Sequence, residues 1–201
     1  MTRRGVALAG LAALALATAG CGGSTHAAKR AISGPPPSPY RGFVISPPSA
    51  APAFALRDQA GRLVGAQDER GHWLVVTFLY THCPDVCPLI ANTLGATMRT
   101  LPGLRVLAVS VDPKGDTPAA VRTFLRAHRL PTGFRYLTGS RAQLAPVWAR
   151  YHVASTGGPH ATVSHTAFEL LIDPAGRERL LYDAQIKVGD IPHDLARLAK
   201  A

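Results

Sequence analysis

A chain of 201 residues, 47% of them hydrophobic, suffices for one domain with its own core plus appendages. With 19 glycines and 17 prolines against only 17% charged residues, loops and linkers should be generous. The formal charge of +10 does not signal nucleic acid, because the basic residues are scattered and no aromatic-interleaved basic patch or phosphate-cradling GxGxxG or GxxxxGK loop occurs.

Residues 1–21 read as an export signal: Arg3 and Arg4, an apolar stretch over 6–17, then Thr18-Ala19-Gly20-Cys21. The apolar stretch is short for a spanning helix, which needs about 20 residues. Small residues before a cysteine look like a bacterial lipoprotein signal, with Cys21 lipidated after cleavage, although Thr18 stands where Leu is usual. An uncleaved anchor and ordinary secretion are the alternatives. All three place the domain outside the cytoplasmic membrane, the first of them lipid-anchored on its outer face. Residues 22–39 pass from Gly, Ser and Ala into Gly34-Pro35-Pro36-Pro37-Ser38-Pro39, an extended tether that cannot build a core.

The globular part is expected over 40–201. A turn at 57–62 predicts a hairpin ahead of the main sheet. Strand 73–80 precedes a cysteine loop, and a helix over 88–101 follows it. Strand 105–111 leads through a loop at 112–118 into a helix over 119–128. A short strand is expected at 134–137, then a helix over 141–151 interrupted by Pro146. Strands 167–172 and 178–182 flank a turn at Asp173-Pro174-Ala175-Gly176, and Asp190 begins a last helix over 191–200. Strands alternating with helices, ending in a hairpin and a helix, suggest a thioredoxin-like α/β fold with an N-terminal β-hairpin extension.

The chemistry concentrates at Thr81-His82-Cys83-Pro84-Asp85-Val86-Cys87-Pro88. If a helix begins here, residues four apart stack on one face and both sulfurs point the same way. Pro88 suits a first helical turn, and a helix N-terminus lowers thiol pKa values. Thiolate is the form that attacks disulfides and that binds soft metals. A structural disulfide between Cys83 and Cys87 would close so short a loop that it constrains little. Metal binding and thiol–disulfide exchange are the stronger readings, with Cys83 and Cys87 as ligands in the first and as the catalytic pair in the second.

The spacing is CxxxC, where the familiar dithiol oxidoreductases of this fold use CxxC. Those enzymes also carry a cis-proline before the strand facing the site. Here Ser164-His165-Thr166 fills that place, and the nearest upstream proline is Pro159. His165 can complete a Cys₂His set, which suits Cu(I), Cu(II) with further ligands, and equally zinc. A peroxiredoxin is excluded, because its TxxC signature becomes Thr81-His82-Cys83, one residue short. His82 reads as a loop residue, and His26, His72, His128, His152, His160 and His193 show no ligand spacing. Asp85 orients the loop or meets a partner, while Asp112 and Asp116 read as turn and cap residues.

The chain resembles the Sco/SenC copper-binding proteins of the thioredoxin-like superfamily. The matching pieces, in order, are Cys83-Pro84-Asp85-Val86-Cys87-Pro88, Ser110-Val111-Asp112-Pro113 with Asp116-Thr117-Pro118, and His165 ahead of Ile172-Asp173-Pro174. One departure is Ser164, where the family usually has an acidic residue. The resemblance implies copper, Cu(I) or Cu(II), held by Cys83, Cys87 and His165. It also implies a metallochaperone role in assembling the Cu(A) centre of cytochrome c oxidase subunit II. Oxidation to a Cys83–Cys87 disulfide would switch binding off. A thiol–disulfide reductase and a copper or redox sensor are the rival readings.

Overall fold

The computed structural model describes residues 38–156, 164–165 and 167–200, of which 155–156 and 164–165 are described by their backbone. The expected signal, Cys21 and most of the 22–39 tether lie outside the described residues. In chain order the elements are strand β1 (Phe43–Val44), strands β2 (Leu56–Arg57) and β3 (Leu63–Val64), and a 3₁₀ turn at Ala66–Glu69. Then come β4 (Leu74–Leu79), helix α1 (Val86–Thr100), β5 (Arg105–Ser110), α2 (Pro118–Ala127), β6 (Phe134–Leu137) and α3 (Arg141–Arg150). The chain ends with β7 (Ser155–Thr156), β8 (Ser164–His165), β9 (Phe168–Ile172), β10 (Glu178–Asp183) and α4 (Asp190–Leu198).

The main sheet has the order β1-β10-β9-β4-β5-β6. Parallel pairing of β4, β5 and β6 requires crossovers, which α1 and α2 supply. β9 returns antiparallel beside β4, and β10 folds back on β9. All six residues of β4 are buried, as an interior strand covered on both faces demands. The β2–β3 hairpin forms its own small sheet, as the turn at 57–62 predicts. It is tied to the end of β6 by a bridge between Arg57 and Thr138. The thioredoxin-like α/β arrangement with an N-terminal hairpin is the one observed.

Local chemistry accounts for the helix starts. Thr117 caps α2, its side chain accepting from the Ala120 N–H at 3.2 Å, and Pro118 occupies the first turn, where an N–H is not needed. The helix expected to break at Pro146 runs through it. Pro146 cannot donate to the Ala142 carbonyl, but Leu144, Val147 and Trp148 are buried around it, and the Trp148 indole donates to the Ser110 carbonyl at 2.9 Å. Tertiary packing here outweighs one missing helical bond. The expectation of an interruption is corrected.

The N-terminal boundary is set by a buried carboxylate. Asp194 on α4 accepts from the Arg41 and Gly42 N–H groups, both at 2.9 Å, and from the Tyr182 hydroxyl at 2.9 Å. Burial pushes the Asp194 carboxyl up, but donors from Arg41, His193, Gly42 and Tyr182 outweigh it and leave it below the usual carboxylate range. A chain shortened to begin at Pro39 will therefore melt like the full chain. One beginning at Phe43 strips a buried acceptor of its backbone donors, at a cost of about 1–3 kcal/mol. Parallel thermal melts at neutral pH check this. Equal melting temperatures for the two shortened chains would show that Asp194 does not anchor the N-terminal segment.

Candidate metal centre

β4 delivers the chain to the C-terminal edge of the parallel strands, and the thiol loop begins at once. The Cys83 N–H donates to the Tyr80 carbonyl at 3.3 Å, closing a tight turn over Thr81 and His82. Asp85 occupies the N-cap position, without a side-chain cap bond, and α1 starts at Val86, two residues earlier than the sequence suggested. Cys87 and Pro88 both lie in the first turn, where N–H groups have no partner within the helix. The Cys87 N–H finds one in the Cys83 sulfur, at 3.4 Å. The helix N-terminus thus acts directly on Cys83, but the expectation that it lowers both thiol pKa values is corrected: Cys83 is lowered and Cys87 is raised.

Both cysteines are free thiols, the dithiol state of the pair. Cys83 lies nearer the surface, 8% exposed, and Cys87 is fully covered at 0%. A hydrogen bond from the Cys87 thiol pulls Cys83 down to about 5. Burial opposes this, while the Asp85 and Cys87 backbone and the Tyr80 side chain assist it. Cys87 is pushed up by giving that hydrogen bond and by its own burial. Burial and the bond to Cys83 raise the Tyr80 hydroxyl to about 12. The hydrogen bond therefore favours thiolate on the outer sulfur over the inner one.

The loop at 112–118 lies against this turn. Asp112 is the turn residue expected, its Oδ1 accepting from the Lys114 and Gly115 N–H groups at 3.2 and 3.0 Å. Asp116 is not a cap, and that reading is corrected. The cap is Thr117, and the Asp116 carboxylate is buried, accepting from the Thr81 N–H and hydroxyl, both at 2.7 Å. No local pattern signals this, because Thr81 lies 35 residues away in sequence. His82 is an exposed loop residue with its Nδ1 3.1 Å from the Thr81 hydroxyl.

His165 sits in β8, paired with Ser155 of β7. β9 runs antiparallel to β4 with Glu169 opposite Thr77, so the chain enters β9 at the end of the sheet where β4 leaves it. The topology brings the His165 backbone and the thiol loop to the same end. The structure brings Cys83 and Cys87 together in detail; the side chain of His165 lies outside the described residues. Among the described residues no group of three or more His, Cys, Asp and Glu side chains is placed to hold a metal ion. Below the site, Glu169 of β9 is fully buried. Its Oε1 lies 3.5 Å from the Thr77 hydroxyl and its Oε2 has no hydrogen-bond partner.

Residues 45–200 match the SCO1/SenC family model. The chain belongs to the SCO1/SenC family. The bovine mitochondrial SCO2 homolog is 36% identical over 135 residues, covering 61% of this chain and 50% of that protein. The chain spans about half the length of the mitochondrial relatives it matches, 54% in the human SCO1 homolog. Among solved structures, Bradyrhizobium japonicum ScoI with copper bound is 29% identical, with a TM-score of 0.65 over 74% of this chain and 99% of that one. The matched residues take in the thiol loop after β4, the 112–118 loop after β5, and β8 before β9. Among the described residues no helix is long and apolar enough to cross a membrane.

Proposed function

We propose that this chain is a copper metallochaperone that carries Cu(I) or Cu(II) on Cys83, Cys87 and His165 and helps assemble the Cu(A) centre of cytochrome c oxidase subunit II. The observation that carries the reading is the pair of free thiols at the start of α1, with the Cys83 sulfur on a helix N–H. Soft thiolates suit Cu(I), and the copper-bound Bradyrhizobium relative supports copper over zinc. Residues 1–21 serve as the export signal and Cys21 as the lipid anchor on the outer face of the cytoplasmic membrane. Residues 22–39 give the domain its reach.

Copper is the cargo in this scheme. Cys83 is already in thiolate form, and Cys87 gives up its proton as the second sulfur engages. Thiolates of the client then displace the two cysteines one at a time, Cys83 first because it lies nearer the surface. Ser164 carries no carboxylate, so it cannot play the part of an acidic neighbour to His165.

A second reading has its own support. An outer thiolate backed by a buried thiol is also the arrangement of a thiol–disulfide reductase, with Cys83 attacking and Cys87 resolving. His165 separates the two, because exchange needs no ligand from a distant strand. His165→Ala is expected to abolish copper delivery to an apo Cu(A) domain while leaving reduction of a disulfide in that domain largely intact. Absorption of the assembled centre and thiol counting read the two activities on one preparation. Delivery by the variant at the wild-type rate would defeat the metallochaperone mechanism. A wild type that delivers nothing but reduces rapidly would establish the reductase.

A further inference from the structure

We infer that Asp116 is a positioning residue for the thiol pair, a buried carboxylate that holds the turn leading into Cys83. The inference deepens the reading above and rests on it for the identity of the cargo. Each oxygen of the carboxylate has a separate task. Oδ1 takes both donors of Thr81, the N–H at 2.7 Å and the hydroxyl at 2.7 Å. Oδ2 takes the Ser110 hydroxyl at 2.6 Å, at the end of β5, and the Tyr136 hydroxyl at 2.9 Å, on β6. Among the described residues no salt bridge reaches Asp116, so its partners are four neutral donors.

The placement matters because of what Thr81 is. It is the second residue of the turn closed by the Cys83 N–H on the Tyr80 carbonyl. Fixing Thr81 by backbone and side chain fixes that turn, and so where the Cys83 sulfur meets the start of α1. Ser110 and Tyr136 in turn anchor the carboxylate to two strands of the main sheet. The Ser110 hydroxyl also accepts from the Asp112 N–H at 3.2 Å, which joins the 112–118 loop to the same peg. A binding pair is only as well placed as the residues that support it.

The geometry makes a sharp distinction between substitutions. In Asp116→Asn the side-chain oxygen can keep both Thr81 bonds, while the amide donates to the Ser110 and Tyr136 hydroxyls, which reverse and accept. In Asp116→Ala all four bonds are lost. Two properties of the reduced full chain read the outcome: Cu(I) affinity by chelator competition, and the rate of Cys83 alkylation by iodoacetamide in the metal-free protein. Asp116→Ala is expected to weaken Cu(I) by about tenfold or more and to change the alkylation rate several-fold. Asp116→Asn should match the wild type within experimental error on both, a rescue that a purely electrostatic role would not allow.

Wild-type values on both measurements for Asp116→Ala would overturn the inference, as would Asp116→Asn being as impaired as the alanine variant. If Asp116→Ala fails to fold, Thr81→Val decides. It retains the N–H bond and loses the hydroxyl bond, and the expected change is about threefold in both readouts, whereas no change overturns the inference. A wild type that binds no Cu(I) would defeat the proposed cargo alone, since the alkylation series still tests the positioning role.

Discussion

Cys83→Ala and Cys87→Ala will each abolish tight Cu(I) binding. The loss should exceed the 10–100-fold typical of removing a residue that merely supports a ligand, reaching on the order of a thousandfold. Both variants should stay folded, because alanine suits the first turn of α1 and the loop before it carries its own hydrogen bonds. They will differ in what they leave behind. Without Cys87, Cys83 loses the thiol donor that most lowers its pKa, so a smaller fraction of it is thiolate at neutral pH. Without Cys83, Cys87 loses the partner that most raises its pKa and keeps the effect of its burial. Chelator competition for Cu(I), with alkylation rates alongside, measures both effects. A single variant that keeps its affinity within tenfold of the wild type would remove that cysteine from the ligand set.

Glu169→Gln will change how the fold responds to pH. Burial raises the Glu169 carboxyl from 4.5 to about 8, with the bond to Thr77 opposing and the charge of Asp183 adding to the rise. Below 4.5 the folded and unfolded chains both hold this proton, and the group costs nothing differential. Between 4.5 and 8 the unfolded chain releases the proton while the folded chain keeps it, so the wild type loses stability as pH rises. Above 8 the loss is complete, on the order of 3–5 kcal/mol. Glutamine cannot ionise, so the variant gains on the wild type steadily from pH 5 to pH 8. Urea unfolding of both proteins at the two pH values isolates this residue, because other titrating groups are common to the pair. A stability difference that does not move with pH would show that Glu169 is ionised in the fold or does not titrate there.

What could be read from the residues follows from how locally each feature is determined. β4 is legible because an interior strand needs an unbroken apolar run, and 73–80 is one. The start of α1 is legible from Pro88 and the cysteines, and the 57–62 turn announces the β2–β3 hairpin. The two-residue strands β1, β7 and β8 are not, because so short a pairing leaves no alternation to see. Glu169 misleads for a related reason. A polar residue within Phe-Glu-Leu-Leu-Ile suggests a solvent-facing position, yet β9 lies between β4 and β10 with both faces covered. Asp116 is opaque because its role comes from Thr81, Ser110 and Tyr136, brought together only when three segments meet at one edge of the sheet. The two thiols are legible from spacing alone. His165 enters through the motif, and its partner across β7 and β8 is a matter of backbone pairing that no pattern in the sequence announces.

The sheet order also has a consequence for the life of the chain before it is finished. β4, which leads into the thiols, is flanked by β5, the next strand in sequence, and by β9, which lies near the C-terminus. During synthesis the cysteine loop, α1 and β5 emerge early, but the sheet cannot close around them until β9 and β10 have followed. Long-range pairing of this kind is slow to form, and unfinished domains expose what they will later bury. Through that interval Cys87, wholly covered in the completed fold, is open to any oxidant or stray metal ion it meets. Completion of the sheet is therefore what first withdraws Cys87 from solvent.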